Sequence, residues 1–437
     1  MELTESRRLQ AVAHALIPGG AHTYAKGDDQ YPVDAPGFIA RGSGCHVWDV
    51  DGNEFIEYGM GLRAVTLGHA HSAVLEAATR AMANGVNFTR PAAIEVAAAE
   101  HLLRLVAPAA DWMVKFAKNG SDTTTAAVRL ARAATGRELV AVCADHPFFS
   151  VDDWFIGTTP MAAGVPKPVQ SLTASFRYND LDSVRALFTE YPDQIAALVL
   201  EVENQQPPAP GFLAGLRQLC DRYGALLIFD EIITGFRWHL PGAASLYGVQ
   251  PDLSSFGKAL GNGFSVAALA GRRDLLERGG LRTRQERVFL LSGTYGAETH
   301  ALAAAQATMR VYEQEPVIAH LHRQGERLAA GVRAAAAAHG VSDQVAVAGR
   351  PCNLVYVTRD AAGDRSQVFR TLFLQELLRG GVLAPSFVVS YAHTDADIDR
   401  TVEVVDAALA VYTRALADGP ERYLHGRPVK PVFRTFC

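Results

Sequence analysis

The chain has 437 residues, 49% hydrophobic and 20% charged, with a formal net charge of −5. That length allows two to three domains, or one large domain with a satellite, around a large core. With no basic run, no zinc spacing and no apolar run as long as a membrane span, it excludes a nucleic-acid-binding or membrane-spanning reading.

Residues 1–8 lack the apolar core of a signal peptide. The five cysteines (Cys45, Cys143, Cys220, Cys352, Cys437) are scattered and odd in number, without CxxC or metal spacing. They read as reduced thiols of a cytoplasmic protein, with no metal expected.

In chain order, a helical pattern over 8–16 stops at Pro18-Gly19-Gly20, and a polar loop follows at 22–29. Residues 38–42, 45–50 and 54–58 alternate as strands, with Asp51-Gly52 as a hairpin turn. From Ser72 a serine-capped helix begins, and a second spans 92–105. Residues 112–117 read as a strand. Asn119-Gly120-Ser121-Asp122 then feeds a helix ending at Gly136, an arrangement that suits either an ordinary N-cap or an anion cradle. A strand at 138–143 leads to Asp145-His146-Pro147-Phe148-Phe149, where His146 reads equally as catalytic or as a loop residue. Residues 150–180 look irregular.

Helices over 181–189 and 213–223 alternate with apolar strands over 195–201 and 225–231, the pattern of a parallel sheet covered on both faces. These strands end in Glu201 and in Asp230-Glu231. Ligands of such sheets lie beyond the carboxyl ends of the strands. Then comes Ser254-Ser255-Phe256-Gly257-Lys258-Ala259-Leu260-Gly261-Asn262-Gly263. The chain has only six lysines against thirty-five arginines, and this one sits among glycines that permit close approach. A lysine amine forms Schiff bases with carbonyls, and an acid is the partner a pyridinium nitrogen requires. Lys258 and Asp230 therefore point to pyridoxal phosphate (PLP). A strand at 267–271 and a small-residue turn at Ser292-Gly293-Thr294 precede a helix over 299–313, and helices continue to 338. A smaller α+β unit follows: strands at 345–347 and 354–357, helices over 366–378 and 395–416, and a Pro- and Arg-rich tail over 420–437 expected along the surface.

Together these motifs resemble the class III (fold type I) PLP-dependent aminotransferases, in particular the glutamate-1-semialdehyde aminomutase-like branch. The strongest pieces are Asp230-Glu231-Ile232-Ile233-Thr234-Gly235-Phe236-Arg237 and Phe256-Gly257-Lys258-Ala259-Leu260-Gly261-Asn262-Gly263, with Asn119-Gly120-Ser121-Asp122 and Ser292-Gly293-Thr294 in register. The resemblance implies an α/β fold with a large PLP-binding domain over 72–325 around a mostly parallel sheet. A small α+β domain would be built from 1–71 and 326–437. It implies that Lys258 binds the cofactor and shuttles the proton, that Asp230 holds the ring nitrogen protonated, and that Ile232 packs on the ring. Gly120 and Ser121 would bind the phosphate, and Glu201 matches the family's strand-ending glutamate. Thr294 would reach the phosphate of a neighbouring subunit, which implies a homodimer with shared sites. The family's Tyr-His-Gly is Asp145-His146-Pro147 here, so the stacking aromatic is expected to be Phe148, with Phe149 as the alternative.

The expected activity is amino transfer from an amino donor to a carbonyl acceptor. The hydroxyl-rich stretch 21–32 suits a polyhydroxylated acceptor, and Asn87-Phe88-Thr89-Arg90-Pro91 resembles the family's substrate-facing stretch. The phosphate loop and tail resemble those of sugar or aminocyclitol-glycoside transaminases of natural-product pathways, which implies an oxo-sugar or aminoglycoside acceptor in antibiotic biosynthesis. The alternative is an aminomutase or epimerase. The acidic loop that aminomutases carry near the C-terminus is replaced by the acid-free Ala384-Pro385-Ser386-Phe387-Val388-Val389-Ser390-Tyr391. A PLP-fold regulator is disfavoured because Lys258 and Asp230 are both present and no DNA-binding segment precedes the fold.

Overall fold

A computed structural model describes residues 1–436; Cys437, the end of the expected tail, lies outside the described residues. Contacts divide the chain into two units, one of Met1–His71 with Ala319–Arg434 and one chiefly of Ser72–Ile318.

The first unit opens with helix α1 (Thr4–Leu16), which starts four residues before its apolar pattern does. Its first-turn amides have no partner within the helix. Asp51 supplies one, its carboxylate accepting from the amides of Glu5 (2.6 Å) and Ser6 (2.9 Å). Strands β1 (Ile39–Ser43), β2 (His46–Asp49) and β3 (Glu54–Glu57) form the antiparallel meander that the Asp-Gly turn anticipates. Gly52 takes the left-handed conformation there, with φ 90°.

In the second unit, helices α2 (Ser72–Met82) and α3 (Ala93–Val106) lead to strand β4 (Trp112–Ala117) and helix α4 (Gly120–Thr135). Strand β5 (Leu139–Cys143) follows, then β6 (Thr173–Phe176), helix α5 (Leu181–Glu190) and β7 (Ile195–Glu201). Helix α6 (Phe212–Tyr223) precedes β8 (Leu226–Glu231), β9 (Leu253–Phe256), β10 (Ala267–Arg272) and helix α7 (Thr299–Gln314). Among the described residues the seven strands form one sheet in the order β4-β10-β9-β8-β7-β5-β6, with β10 antiparallel to both its neighbours and β5 to β9 parallel. Every residue of β5, β7 and β8 is buried. Each Val, Leu or Ile so covered contributes on the order of 1.5–3 kcal/mol against exposure, which explains their continuous apolar runs.

Two strands of this seven-stranded sheet depart from the sequence reading. β6 lies within residues expected to be irregular. It is a four-residue edge strand in which only Phe176 is buried, so no apolar run marks it. β9 is fully buried, yet two of its four residues are serines, so no apolar run marks it.

The chain returns to the first unit through helix α8 (Val317–Ala338), strands β11 (Val345–Ala348) and β12 (Val355–Thr358), helix α9 (Gln367–Arg379), the two-residue β13 (Val382–Leu383) and helix α10 (Asp395–Asp418). β13 pairs in parallel with β3 and completes a sheet in the order β1-β2-β3-β13. Val47 and Phe55 pack there with Leu374, Leu378 and Leu383, so both ends of the chain share one core. The tail is more tightly held than a surface segment. Val429 is buried and its amide donates to Thr371, while Arg427 donates to the carbonyls of Asp28 and Tyr31. Arg434 pairs with Asp29 at 2.5 Å.

Candidate active site

The site is built at the carboxyl ends of β7, β8 and β9. Their register sets Glu201 beside Asp230 and Asp230 beside Ser255. In-register residues of parallel neighbours project to the same face, so these three form one polar row, whereas Glu231 and Phe256 face the other way. Glu231 is used structurally: its carboxylate accepts from Thr234 and from the amides of Ala243 (2.9 Å) and Ala244 (2.7 Å). Asp230 accepts the Ile232 amide at 2.9 Å. Burial pushes its carboxyl up to about 7, although that hydrogen bond and the nearby charge of Lys258 both pull it down. A carboxylate this short of counter-charge is a ready partner for a buried cation.

Lys258 follows β9 after the single residue Gly257 and starts a short 3-10 turn, Lys258–Gly261. Its φ is +45°, and that of Asn262 is +44°. Left-handed backbone at a residue with a Cβ costs about 1–2 kcal/mol, so the turn is imposed by its surroundings rather than chosen locally. The half-buried Lys258 is thereby held within electrostatic reach of Asp230.

The third component is the start of α4. Asn119 caps the helix by accepting the Asp122 amide at 3.0 Å. The amides of Gly120 and Ser121 belong to the first turn, which has no carbonyl partner of its own and sits at the positive end of the helix. The Ser121 hydroxyl accepts from the Val151 amide at 3.0 Å and keeps its hydrogen to donate. Thr124 donates to the Phe149 carbonyl at 2.7 Å, and Thr125 meets Ser150 at 2.9 Å, so the loop after β5 is stapled to the helix. A Cβ built on Gly120 would lie 2.3 Å from Ile232 Cδ1, and one on Gly257 would lie 3.5 Å from Ile232 Cγ2. Ile232 thus brings the start of α4, the Asp230 strand and the lysine turn into one group. Gly120→Ala is expected to push Ile232 aside and weaken cofactor binding on the order of 10-fold by equilibrium titration. Adding Ile232→Ala should recover part of the loss if the clash is the cause.

The structure places the remaining candidates differently. Phe148 is 42% exposed and Phe149 only 1%; both rings meet Phe155 edge-on, at 5.7 and 5.5 Å. The accessible ring is therefore that of Phe148. Thr294 is exposed, and its carbonyl accepts from Asn87 at 3.1 Å. The neighbouring Ser292 and Gly293 line a hollow of about 250 Å³ together with Lys118, Asp122 and Thr125. His146 is buried, and its Nδ1 accepts the Glu201 amide at 3.0 Å; burial lowers it to about 4, so it stays neutral and acts as a brace for β7. Ser255 has no role in the sequence reading. It is fully buried in the polar row, and its hydroxyl has no hydrogen-bond partner among the described residues. The only signal for it was a pair of serines in an otherwise apolar segment.

These parts fit pyridoxal phosphate: an amine for its carbonyl, a buried acid for its ring nitrogen, an amide-rich helix start for its phosphate, and the apolar Ile232 between them. Fold and site together define a PLP-dependent enzyme of fold type I. A family model described as "Aminotransferase class-III" matches residues 24–409, and the chain belongs to that family. It is 34% identical over 420 residues to a glutamate-1-semialdehyde 2,1-aminomutase of Desulfitobacterium hafniense, covering 91% of this chain and 96% of that one. Among solved structures it is similar to the FumI protein of Sphingopyxis sp. MTA144 in its PLP internal aldimine form. That match has a TM-score of 0.86 and 28% identity, over 97% of this chain and 100% of that one. An omega-transaminase from Sphaerobacter thermophilus matches with a TM-score of 0.83 and 27% identity, over 94% and 98% of the two chains. The protein is a PLP-dependent class III transaminase-family enzyme acting on small molecules. Among the described residues no helix is long and apolar enough to cross a membrane.

Proposed function

We propose that this enzyme transfers an amino group from an amino-acid donor to a carbonyl acceptor of the oxo-sugar or aminoglycoside class, in antibiotic biosynthesis in the cytoplasm. The observation that carries the transfer chemistry is the placement of Lys258 within electrostatic reach of the buried Asp230, next to the start of α4. Bound there, PLP supplies an exchangeable carbonyl carbon and an electron sink. Lys258 Nζ would hold the cofactor between turnovers and, when free, would carry the proton taken from substrate Cα. Asp230 holds the proton on the ring nitrogen, and Glu201 lies beside it in the row. Gly120 and Ser121 would bind the phosphate, and Ile232 and Phe148 would pack against the ring. The exposed Phe88, Phe289 and Tyr295 of the second unit, with the exposed Thr294, support a homodimer whose partner subunit completes each site.

The polar stretch 21–32 supports the sugar-like acceptor. It forms two 3-10 turns, Tyr24–Lys26 and Asp28–Gln30, and its residues 28–31 are tied down by Arg427 and Arg434. The test is a pair of half-reactions. Glutamate should bleach the lysine-bound cofactor absorbance and release one equivalent of 2-oxoglutarate. A 6′-oxo or keto sugar should then restore the band. Rapid restoration by simple aldehydes with none by oxo-sugars would overturn the acceptor class.

A second reading, an aminomutase, is favoured by the Desulfitobacterium relative. Against it stands the acid-free stretch 384–391, in which Phe387, Val388 and Val389 are fully buried rather than forming a mobile gate. An aminomutase would turn over glutamate-1-semialdehyde with no 2-oxoacid released.

A further inference from the structure

Outside the candidate active site, one cluster in the first unit combines three metal-ligating side chains of different chemistry. Cys45 precedes β2, His46 begins it, and Asp397 lies in the first turn of α10. Their donor atoms, Cys45 Sγ, a His46 ring nitrogen and an Asp397 oxygen, lie within 4.8 Å of one another. His46 Nε2 is 3.0 Å from Asp397 Oδ1. Bond lengths of about 2.0–2.3 Å to zinc place the donors of a tetrahedral site roughly 3.3–3.8 Å apart, so only a small contraction separates this cluster from a ligand set.

The cluster is also held from behind. Asp397 Oδ2 accepts from the Thr394 amide (2.8 Å) and hydroxyl (2.7 Å), which leaves Oδ1 turned to His46. Glu54 Oε1 lies 2.9 Å from His46 Nδ1. It is off the line of the ring N–H, but half of its side chain is exposed and it has room to rotate. A carboxylate behind the non-ligating nitrogen is the usual orienting partner of a metal-bound histidine. Cys45 is 2% exposed, whereas His46 and Asp397 retain side-chain exposures of 32% and 14%, so a cation has a way in. Thiolate and carboxylate side by side repel each other unless a proton or a cation lies between them.

We propose that Cys45, His46 and Asp397 bind one thiophilic divalent cation of the zinc class, with a fourth position open to water. Binding displaces the Cys45 thiol proton, so one proton leaves for each cation bound, and thiolate plus carboxylate balance the 2+ charge. The cation would tie the N-terminal meander to α10 across 351 positions of sequence, which assigns it a stapling role in this unit.

The test uses the holoenzyme, stripped with a chelator and titrated with cobalt(II). One cobalt per chain is expected. It should show a thiolate-to-cobalt charge-transfer band in difference spectra against Cys45→Ser, together with tetrahedral d–d bands, all displaced by zinc(II). Cys45→Ser and His46→Gln should each weaken zinc binding by more than the ~10–100-fold that loss of an orienting partner costs. Neither should change the absorbance of the lysine-bound cofactor. Cobalt binding without a thiolate band, or equal affinity in Cys45→Ser, overturns the proposal. Should that variant fail to fold, zinc added to wild-type enzyme in weak buffer must still release one proton per cation. Release of none overturns the proposal as well.

Discussion

Lys258→Ala should abolish the visible absorbance of the lysine-bound cofactor and lower turnover by on the order of 10⁴-fold or more. Two functions are lost together, the covalent anchor and the proton carrier. The fold should survive. Lys258 itself opens the turn at 258–261 with a left-handed φ of 45°, which alanine tolerates no worse than lysine does. Loss of the amine leaves the Asp230 carboxyl without the charge that lowers it, so the unliganded variant should take up a proton there. Added small primary amines should restore part of the proton-transfer rate, but not the covalent band. A band that persists in Lys258→Ala would remove the basis of the assignment.

Asp230→Asn should cost on the order of 10³-fold in turnover and weaken cofactor retention, because an amide cannot balance a cationic ring nitrogen in a buried site. The same residue carries a pH signature in the cofactor-free protein. Its ordinary value is 3.8, and in the fold it rises to about 7. Between those values the native protein holds a proton that the unfolded chain has released. Stability of the cofactor-free protein should therefore fall as pH rises from about 4 to 7, by up to about 4 kcal/mol from this group. Denaturant unfolding at pH 5 and at pH 7.5, compared between wild type and Asp230→Asn, isolates the contribution, since Glu231 is present in both. Bound PLP should flatten the dependence by keeping Asp230 ionised. Equal pH slopes in the two cofactor-free proteins would show that Asp230 ionises normally.

The candidate site was legible because its residues sit at strand ends that composition reveals. β7 and β8 are continuous apolar runs closed by acids, and burial on both faces forces that pattern. Lys258 stood out by rarity and by its glycines. The cap at Asn119 and the stop at Gly136 followed from short-range backbone chemistry, and both hold in the structure, the first by a side-chain hydrogen bond and the second by φ 68°. What escaped lacked an apolar run: β6 buries only Phe176, β9 carries two serines among its four residues, and β13 spans two residues. Phe148 and Phe149 were indistinguishable in sequence, and only packing buried one and left the other half open.

By itself the sequence determined the chemistry: a lysine, an acid and an anion-binding turn, each recognisable within about ten residues because strand ends, caps and glycine turns are local. The tertiary structure decided how those pieces meet. Ile232 bridges two glycines, Asp230 is buried deeply enough to titrate near 7, and Ser255 joins the polar row through register alone. It also set Cys45 and His46 against Asp397 and placed the tail on residues 28–31. Those contacts join positions hundreds of residues apart. No local preference specifies them; the shared burial of both chain ends in one core does.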